Sequence, residues 1–342
     1  MDYQPLLPPR TACVGETLSG RGTLTRLPTL AAQNFGPRGF IITGRHSTLE
    51  GHWRRSATGE PTTDEVDALR TILADAKPDW VAAIGGGSVL DLAKAATGLC
   101  QLSQSTAYYQ AHPEELRPSS IPLLAAPTTA GTGSEATTVS VLTCTEKHLK
   151  ASIRHPSWLA RLVVLDADTL NGAPREVIVH SGLDAYTQAY ESLVSRYATP
   201  YTQQLSRLGL ATIRRTLPQV AKGDYAPAQQ LLEASYLVGV AFAQSHLGVV
   251  HGLAHPLGAR YHIPHGACCA ACLPAAVAFN QIYKLDLSLL DEVGFRNPFC
   301  GKTLLEREQI VAETLASGST RANPRTVSAA DAAALLETIF GV

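Results

Sequence analysis

The sequence predicts an α/β N-terminal domain with a mainly parallel sheet, residues 1–174, followed by an all-α C-terminal domain, residues 175–342. Three observations carry this reading. Short apolar runs alternate with helix-like segments through the first half, the alternation stops after Pro174, and long helical patterns then follow one another. Strands that alternate with helices imply crossover connections, and so parallel pairing with both sheet faces covered. A chain of 342 residues is also longer than the roughly 250–300 residues that one core usually serves.

In chain order, Gly39-Phe40-Ile41-Ile42-Thr43 is a short buried strand and Asp64 to Ala76 has helical periodicity. Trp80-Val81-Ala82-Ala83-Ile84 is a second strand, running into Gly85-Gly86-Gly87-Ser88 and a helix over Val89 to Leu99. Ile121 to Ala126 is a third strand, ended by Pro127, and Leu162 to Asp166 a fourth. The domain boundary falls near Asn171–Pro174. Helices are then expected over Glu176–Arg196, Tyr201–Thr216, Pro227–Gln244 and Cys268–Tyr283, with a closing helix over Val327–Ile339 capped by Ser328.

Composition narrows the function classes. Hydrophobic residues make up 45% and charged residues 17%, a globular balance rather than a disordered one. The net charge of −1, from 28 basic and 29 acidic side chains, creates no field that favours nucleic acid or an anionic membrane. A small-molecule partner is the expectation. Met1-Asp2-Tyr3-Gln4-Pro5 has no basic segment followed by an apolar one, and Tyr236 to Val250 is interrupted by Gln244 and His246, short of the roughly 20 residues that span a bilayer. Seven cysteines spread along a long chain argue against a disulfide framework and for a reducing, cytoplasmic setting. Cys268, Cys269 and Cys272 lie among alanines, so tight packing is expected of them rather than a soft-metal site.

Two loops point to a dinucleotide. Three glycines between a buried strand and a helix leave bare backbone N–H groups at a helix N-terminus, which suits a pyrophosphate. The string is Gly85-Gly86-Gly87-Ser88-Val89-Leu90-Asp91, then Lys94. A second loop, rich in small and hydroxyl residues, follows the third strand: Pro127-Thr128-Thr129-Ala130-Gly131-Thr132-Gly133-Ser134-Glu135. Such loops at the carboxyl ends of neighbouring strands form a Rossmann-like crevice, although neither has the G-x-G-x-x-G spacing.

The second domain carries a candidate metal constellation. Asp184 and Gln188 lie one turn apart on one predicted helix, and His251 and His255 share a face of another. His265 follows in a Pro-His-Gly turn. Any one histidine is ordinary, but an apolar, small-residue segment gains nothing from so many ionisable rings. Two imidazoles and a carboxylate with open positions suit Zn²⁺ or Fe²⁺.

These motifs resemble the iron-containing (group III) alcohol dehydrogenases, relatives of glycerol dehydrogenase within the dehydroquinate synthase-like superfamily. The resemblance rests on the triple-glycine string, the Pro127–Glu135 loop, Gly182-Leu183-Asp184-Ala185 to Glu191 and the histidine block, with an echo at Asn323-Pro324-Arg325. It implies a dinucleotide-binding domain and a helical domain, with metal and nicotinamide in the cleft between them. It implies Asp184, the residue at 188, His251 and His265 as metal ligands, and His255 as a proton relay beside the nicotinamide. The dinucleotide contacts it implies are Gly44, Gly85, Gly86, Gly87, Ser88, Asp91, Thr128, Thr129, Thr132, Ser134, Lys150 and His255. Phe242, Val139 and Ser319 would line the substrate pocket, with Arg321 either selecting an anionic aldehyde or lying on the surface.

The expected activity is reversible hydride transfer between a small primary alcohol or aldehyde and NAD(P), with one divalent metal and a homodimer as the assembly. Three departures qualify it. Glutamine stands at 188, where the family usually has histidine. Gly44 stands where NAD-preferring members often have an aspartate, which favours NADP(H), with Arg45 or His46 meeting the 2′-phosphate. The stretch between Asn280 and Asn323 looks one or two helices short. Two rival readings are a metal-independent reductase of an oxo acid, like maleylacetate reductase, and a catalytically silent nucleotide-binding protein.

Overall fold

A computed structural model describes residues 5–45, 47, 49–146 and 149–342. The chain forms two compact units, Cys13–Asn171 and Gly172–Val342, the latter joined by residues 5–12. Those first residues were expected in the α/β domain. Their backbone instead bonds to the helical unit: Ala12 N–H donates to Gln244 Oε1 (3.3 Å), Gln244 Nε2 donates to the Ala12 carbonyl (2.8 Å), and Tyr201 N–H donates to the Leu6 carbonyl.

In the α/β unit the elements run β1 (Glu16–Ser19), α1 (Leu27–Phe35), β2 (Gly39–Thr43), β3 (Trp53–Arg54), α2 (Thr63–Ala76), β4 (Trp80–Gly85), α3 (Gly87–Leu99) and α4 (Thr106–Ala111). There follow β5 (Leu123–Pro127), β6 (Val139–Cys144), β7 (Leu149–Arg154) and β8 (Leu162–Leu165). Six strands form one sheet in the order β1-β8-β5-β4-β2-β3, every pair parallel. The four strands expected from continuous apolar runs are the sheet's centre, and β4, β5 and β8 are buried along their whole length. Alternate residues serve the two faces. Trp80, Ala82, Ile84, Leu124, Ala126, Leu162 and Val164 pack with Leu27 and Ala31 of α1, while α3 packs on β4 and β5. α2 begins with a capping box, Thr62 accepting from Glu65 N–H while the Glu65 carboxylate accepts from Thr62 N–H.

Strand order decides where a ligand fits. From β2 the chain steps outward to β3, returns to the far side of β2 at β4, and then advances through β5 to β8. The direction of winding therefore reverses between β2 and β4, the topological switch at which open α/β sheets bind ligands beyond the strand carboxyl ends. Gly44 and the glycine run lie there, joined by a hydrogen bond from Gly44 N–H to the Ile84 carbonyl (3.2 Å).

The helical unit contains α5 (Arg175–Val194), α6 (Pro200–Ala221), α7 (Ala228–Ser245), α8 (Val249–Tyr261) and α9 (His265–Asn280). It ends with α10 (Ser288–Glu292), α11 (Arg307–Ala316), α12 (Gly318–Ala322) and α13 (Ala329–Phe340). α10, α11 and α12 occupy the stretch that looked short of helices. α5 is the axis, packed by α6, α7 and α9, and it is buried almost all round. Its polar side chains Asp184, Thr187, Gln188, Glu191 and Ser192 are therefore interior groups that need partners. Ser328 caps α13 through a capping box with Asp331. α9 starts at His265, three residues before the expected position, because Pro264 takes the N-cap place and the Pro-His-Gly segment is helix rather than turn. No single helix among the described residues is long and apolar enough to cross a membrane, and α7 and α8 meet at a 104° bend.

Candidate functional site

In the α/β unit, three loops lie at the carboxyl ends of adjacent strands β2, β4 and β5. Gly86 is the N-cap of α3, in extended conformation, and Gly86, Gly87 and Ser88 are half-buried. Position 87 must be glycine, because a Cβ there would sit 2.6 Å from Thr132 Cγ2. That contact brings the second loop against the first, and Thr128 N–H donates to the Gly85 carbonyl (3.0 Å). Thr128, Thr129 and Thr132 are half-buried at this place, beside the first-turn N–H groups of a helix.

Asp91 and Ser134, expected to contact the dinucleotide, hold the loops together. Ser134 Oγ donates to Asp91 Oδ1 (2.5 Å), Val141 N–H donates to Asp91 Oδ2 (2.8 Å), and Ser140 Oγ donates to the Asp91 carbonyl (2.8 Å). Lys94, only 2% exposed, completes the clamp by donating to the carbonyls of Ser134 (2.8 Å) and Val139 (2.6 Å) and to Ser134 Oγ (2.9 Å). Burial pushes Lys94 down and Asp91 up, with their mutual attraction opposing both shifts. Burial also pushes the neighbouring Glu135 carboxyl up to about 7, a backbone hydrogen bond and the charge of Lys94 offsetting only part of it. Val139 lies half-buried on the β6–β7 hairpin, and Lys150 on the same hairpin donates to Glu60 Oε1 (2.8 Å). Arg45 is exposed, and His46 lies outside the described residues.

In the helical unit, Asp184, His251 and His265 converge. Asp184 and His251 are 2% and 3% exposed, and His265 is half-buried. Asp184 Oδ1 lies 3.4 Å from His251 Nε2 and 3.9 Å from His265 Nε2, and it has no hydrogen-bond partner. A buried carboxylate oxygen left without a donor is costly, by about 1–3 kcal/mol or more. A cation between these atoms removes that cost, so the donor set fits a divalent metal. Gln188, one turn beyond Asp184, is 3% exposed, and its Oε1 likewise has no hydrogen-bond partner.

Backbone packing fixes the geometry. A Cβ on Gly266 would lie 2.1 Å from the His180 carbonyl oxygen, so only glycine lets the first turn of α9 press against α5 and bring His265 to Asp184. Glu191, on α5 two turns beyond Asp184, orients His251: its Oε2 accepts from His251 Nδ1 (2.5 Å) and its Oε1 from Val250 N–H (2.7 Å). This fixes the tautomer that turns Nε2 toward Asp184, as carboxylates behind metal-bound imidazoles do. For His251, burial acts downward, but the charge and hydrogen bond of Glu191 and the adjoining Asp184 carboxylate outweigh it and lift the ring to about 9. For Asp184, burial acts upward and is outweighed by attraction to the His265 and His251 rings, so the carboxyl lies below its ordinary value.

The Asn323 side chain accepts from Val249 N–H (3.2 Å) and donates to Asn280 Oδ1 (2.8 Å), tying the start of α8 to the end of α9. Glu191, Asn280 and Asn323 thus support the cluster without forming part of the expected ligand set. Glu191 was visible in the motif, but its partner was not.

His255 is half-buried, its ring centroid 5.2 Å from that of His265 and 6.4 Å from that of His251. Phe242 is half-buried on α7. Ser319 N–H donates to Ser317 Oγ at the start of α12, and the exposed Arg321 donates through Nη1 to the Ala316 carbonyl (2.7 Å), closing the end of α11. Cys268 donates to the Ile263 carbonyl (3.6 Å), but Cys269 does not simply pack. Its Sγ lies 3.7 Å from His251 Nε2 and 3.6 Å from His265 Nε2.

A switched parallel sheet with small-residue loops, and a helical bundle with a buried carboxylate–histidine cluster, define the fold of the iron-containing alcohol dehydrogenases. Solved structures agree. A sulfoacetaldehyde reductase from Bifidobacterium kashiwanohense superposes with a TM-score of 0.87 at 23% identity, over 96% of this chain and 98% of its own. An iron-containing alcohol dehydrogenase from Thermotoga maritima does so at 0.85 and 23%, over 97% and 99%.

The chain belongs to the iron-containing alcohol dehydrogenase family. The family profile described as iron-containing alcohol dehydrogenase matches residues 15–167, and that of the family's C-terminal region matches residues 178–339. Among curated proteins, the probable alcohol dehydrogenase EutG of Salmonella typhimurium is 40% identical over 226 residues, 66% of this chain and 57% of its own length. The lactaldehyde reductase of Escherichia coli is 34% identical over 223 residues, 64% of this chain and 58% of its own. The matches therefore span less than two thirds of the length of these relatives.

Proposed function

We propose that the protein is a metal-dependent, NAD(P)-linked alcohol dehydrogenase or aldehyde reductase acting on a small primary alcohol or aldehyde. The observation that carries this is Asp184 Oδ1, buried between two imidazole Nε2 atoms with no hydrogen-bond donor, in a chain of this family. Asp184, His251 and His265 hold the cation, with the Gln188 carbonyl beside them. When bound, a divalent ion supplies Lewis acidity toward a substrate oxygen, and a nicotinamide dinucleotide supplies or accepts the hydride.

The chain's own groups do the rest. Asp184 brings the negative charge that neutralises part of the ion, and Glu191 keeps the His251 Nδ1 proton away from Nε2. His255, its ring 5.2 Å from that of His265, moves the alcohol proton. The amides of Gly86, Gly87 and Ser88 and the hydroxyls of Thr128, Thr129 and Thr132 hold the pyrophosphate, with Lys94 and Asp91 keeping the loops in register. NADP(H) is favoured over NAD(H), because Gly44 presents no carboxylate to repel a 2′-phosphate. Phe242, Val139 and Ser319 are the residues assigned to the substrate.

The test is oxidation of NADPH and NADH over a panel of short aldehydes, before and after exhaustive chelation. Turnover that disappears on chelation and returns with Zn²⁺ or Fe²⁺ supports the proposal. Undiminished turnover in the stripped protein selects the metal-independent reductase, and dinucleotide binding without turnover selects the silent binder.

A further inference from the structure

We propose that Cys269 supplies the fourth protein ligand to the metal, making a carboxylate, bis-imidazole and thiolate set that prefers zinc to iron. The inference rests on the reading that this cluster holds a metal, and it concerns a residue that the sequence assigned to packing.

Geometry comes first. In a tetrahedral zinc site, N and O donors lie at about 2.0 Å from the ion and S at about 2.3 Å, so neighbouring N or O donors are about 3.3 Å apart and an N–S edge is about 3.5 Å. Four edges are observed. Asp184 Oδ1 to His251 Nε2 is 3.4 Å and to His265 Nε2 is 3.9 Å, while Cys269 Sγ to His251 Nε2 is 3.7 Å and to His265 Nε2 is 3.6 Å. All four residues offer a ligand atom within 4.8 Å of one another, so the donors draw inward onto one ion, and a substrate oxygen would enter as a fifth ligand.

The chain's layout supports the same set. His265 and Cys269 are one turn apart on α9, the i, i+4 spacing that puts two ligands on one helix face. Cys268 and Cys272 are also fully buried, yet neither belongs to the group of converging donors. An ordinary packed thiol needs no partner. A sulfur set between two imidazole nitrogens, opposite a buried carboxylate oxygen without a donor, occupies a corner of a cation site.

Position 188 supplies the chemical motive. The histidine usual in the family would come from α5, but here that place holds a neutral amide whose oxygen is a weak donor. The thiol on α9 makes up the missing strong ligand from another helix. On binding Zn²⁺ the Cys269 S–H bond breaks, the electron pair coordinates the ion and the proton passes to buffer. No oxidant or reductant is involved. Thiolate favours zinc, whereas a set of only oxygen and nitrogen donors is more permissive toward iron.

The experiment is cobalt substitution of the full chain, read by absorption spectroscopy. Wild type loaded with Co²⁺ should show visible d–d bands of tetrahedral intensity together with a near-ultraviolet thiolate-to-cobalt charge-transfer band. Cys269→Ser and Cys269→Ala should lose the near-ultraviolet band and bind Zn²⁺ at least ~10–100-fold more weakly. Cys272→Ala should keep both, and far-ultraviolet circular dichroism checks that each variant is folded. In competition, wild type should take Zn²⁺ over Fe²⁺ by a wider ratio than Cys269→Ser. Wild type with d–d bands but no charge-transfer band, or a Cys269→Ala protein that retains it, overturns the thiolate ligand and leaves the metal site standing. Failure of wild type to bind cobalt or zinc overturns both.

Discussion

Glu191→Gln isolates the contribution of a residue that touches no metal. Glu191 is 2% exposed, and its two oxygens accept one proton each, from His251 Nδ1 at 2.5 Å and from Val250 N–H at 2.7 Å. Glutamine keeps the shape but has one acceptor oxygen, so whichever donor keeps the carbonyl, the other faces an N–H. A buried donor so stranded costs about 1–3 kcal/mol. In a cooperative unit of this size that lowers the metal-free melting temperature by roughly 2–4 °C per kcal/mol. The imidazole also loses the carboxylate that makes Nε2 a better ligand, and such changes weaken metal binding ~10–100-fold. A chromophoric chelator competed against Zn²⁺ measures the second effect, and a thermal melt of the stripped protein measures the first. A variant that binds zinc within about twofold of wild type, and melts at the same temperature when stripped, refutes this role for Glu191.

Three further outcomes follow from the same contacts. Glu135 titrates in the fold at about 7 against an ordinary 4.5, so the folded state binds the extra proton between those values. Its stability therefore falls as pH rises through that window, by about 3 kcal/mol at most, and Glu135→Gln should be the more stable protein at pH 8 but not at pH 4; parallel stability curves would contradict this. Gly266→Ala puts a methyl 2.1 Å from the His180 carbonyl oxygen, so α9 must back away from α5. That variant should lose about 1–3 kcal/mol in a urea titration and release metal faster to chelator. Lys94→Met removes the donor shared by the Ser134 and Val139 carbonyls and leaves Asp91 buried without its cation. It should cost about 3–5 kcal/mol and weaken dinucleotide binding, checked by urea melts and by quenching of protein fluorescence.

What the sequence revealed follows burial. β2, β4, β5 and β8 read directly because strands covered on both faces are unbroken apolar runs. β1 carries Glu16, Thr17 and Ser19 on an exposed edge, and β3 has only two residues, so neither has a periodic signal. In the β6–β7 hairpin the inward set on β6 is Ser140, Leu142 and Cys144, and a serine bonded to the Asp91 carbonyl does not look like a core residue. In the site, Asp184, His251 and His265 were visible because ionisable groups are out of place in apolar helices. Cys269 was hidden for the opposite reason. α9 is buried on every side from Ala267 to Leu273, so no periodicity says which cysteine faces which neighbour. Its direction is set by contact with α5 and α8, which only the tertiary structure supplies. Gly87 and Gly266 are similar cases, since the Thr132 and His180 atoms that exclude a side chain come from distant segments.

The most direct measurement is elemental analysis of purified wild type and His265→Ala, each assayed for NAD(P)H-coupled aldehyde reduction. Wild type should carry a single divalent ion per chain and turn over. His265→Ala should keep its fold and its dinucleotide binding while losing both metal and turnover. A His265→Ala protein that is fully metal-loaded and active would contradict the assignment of the site.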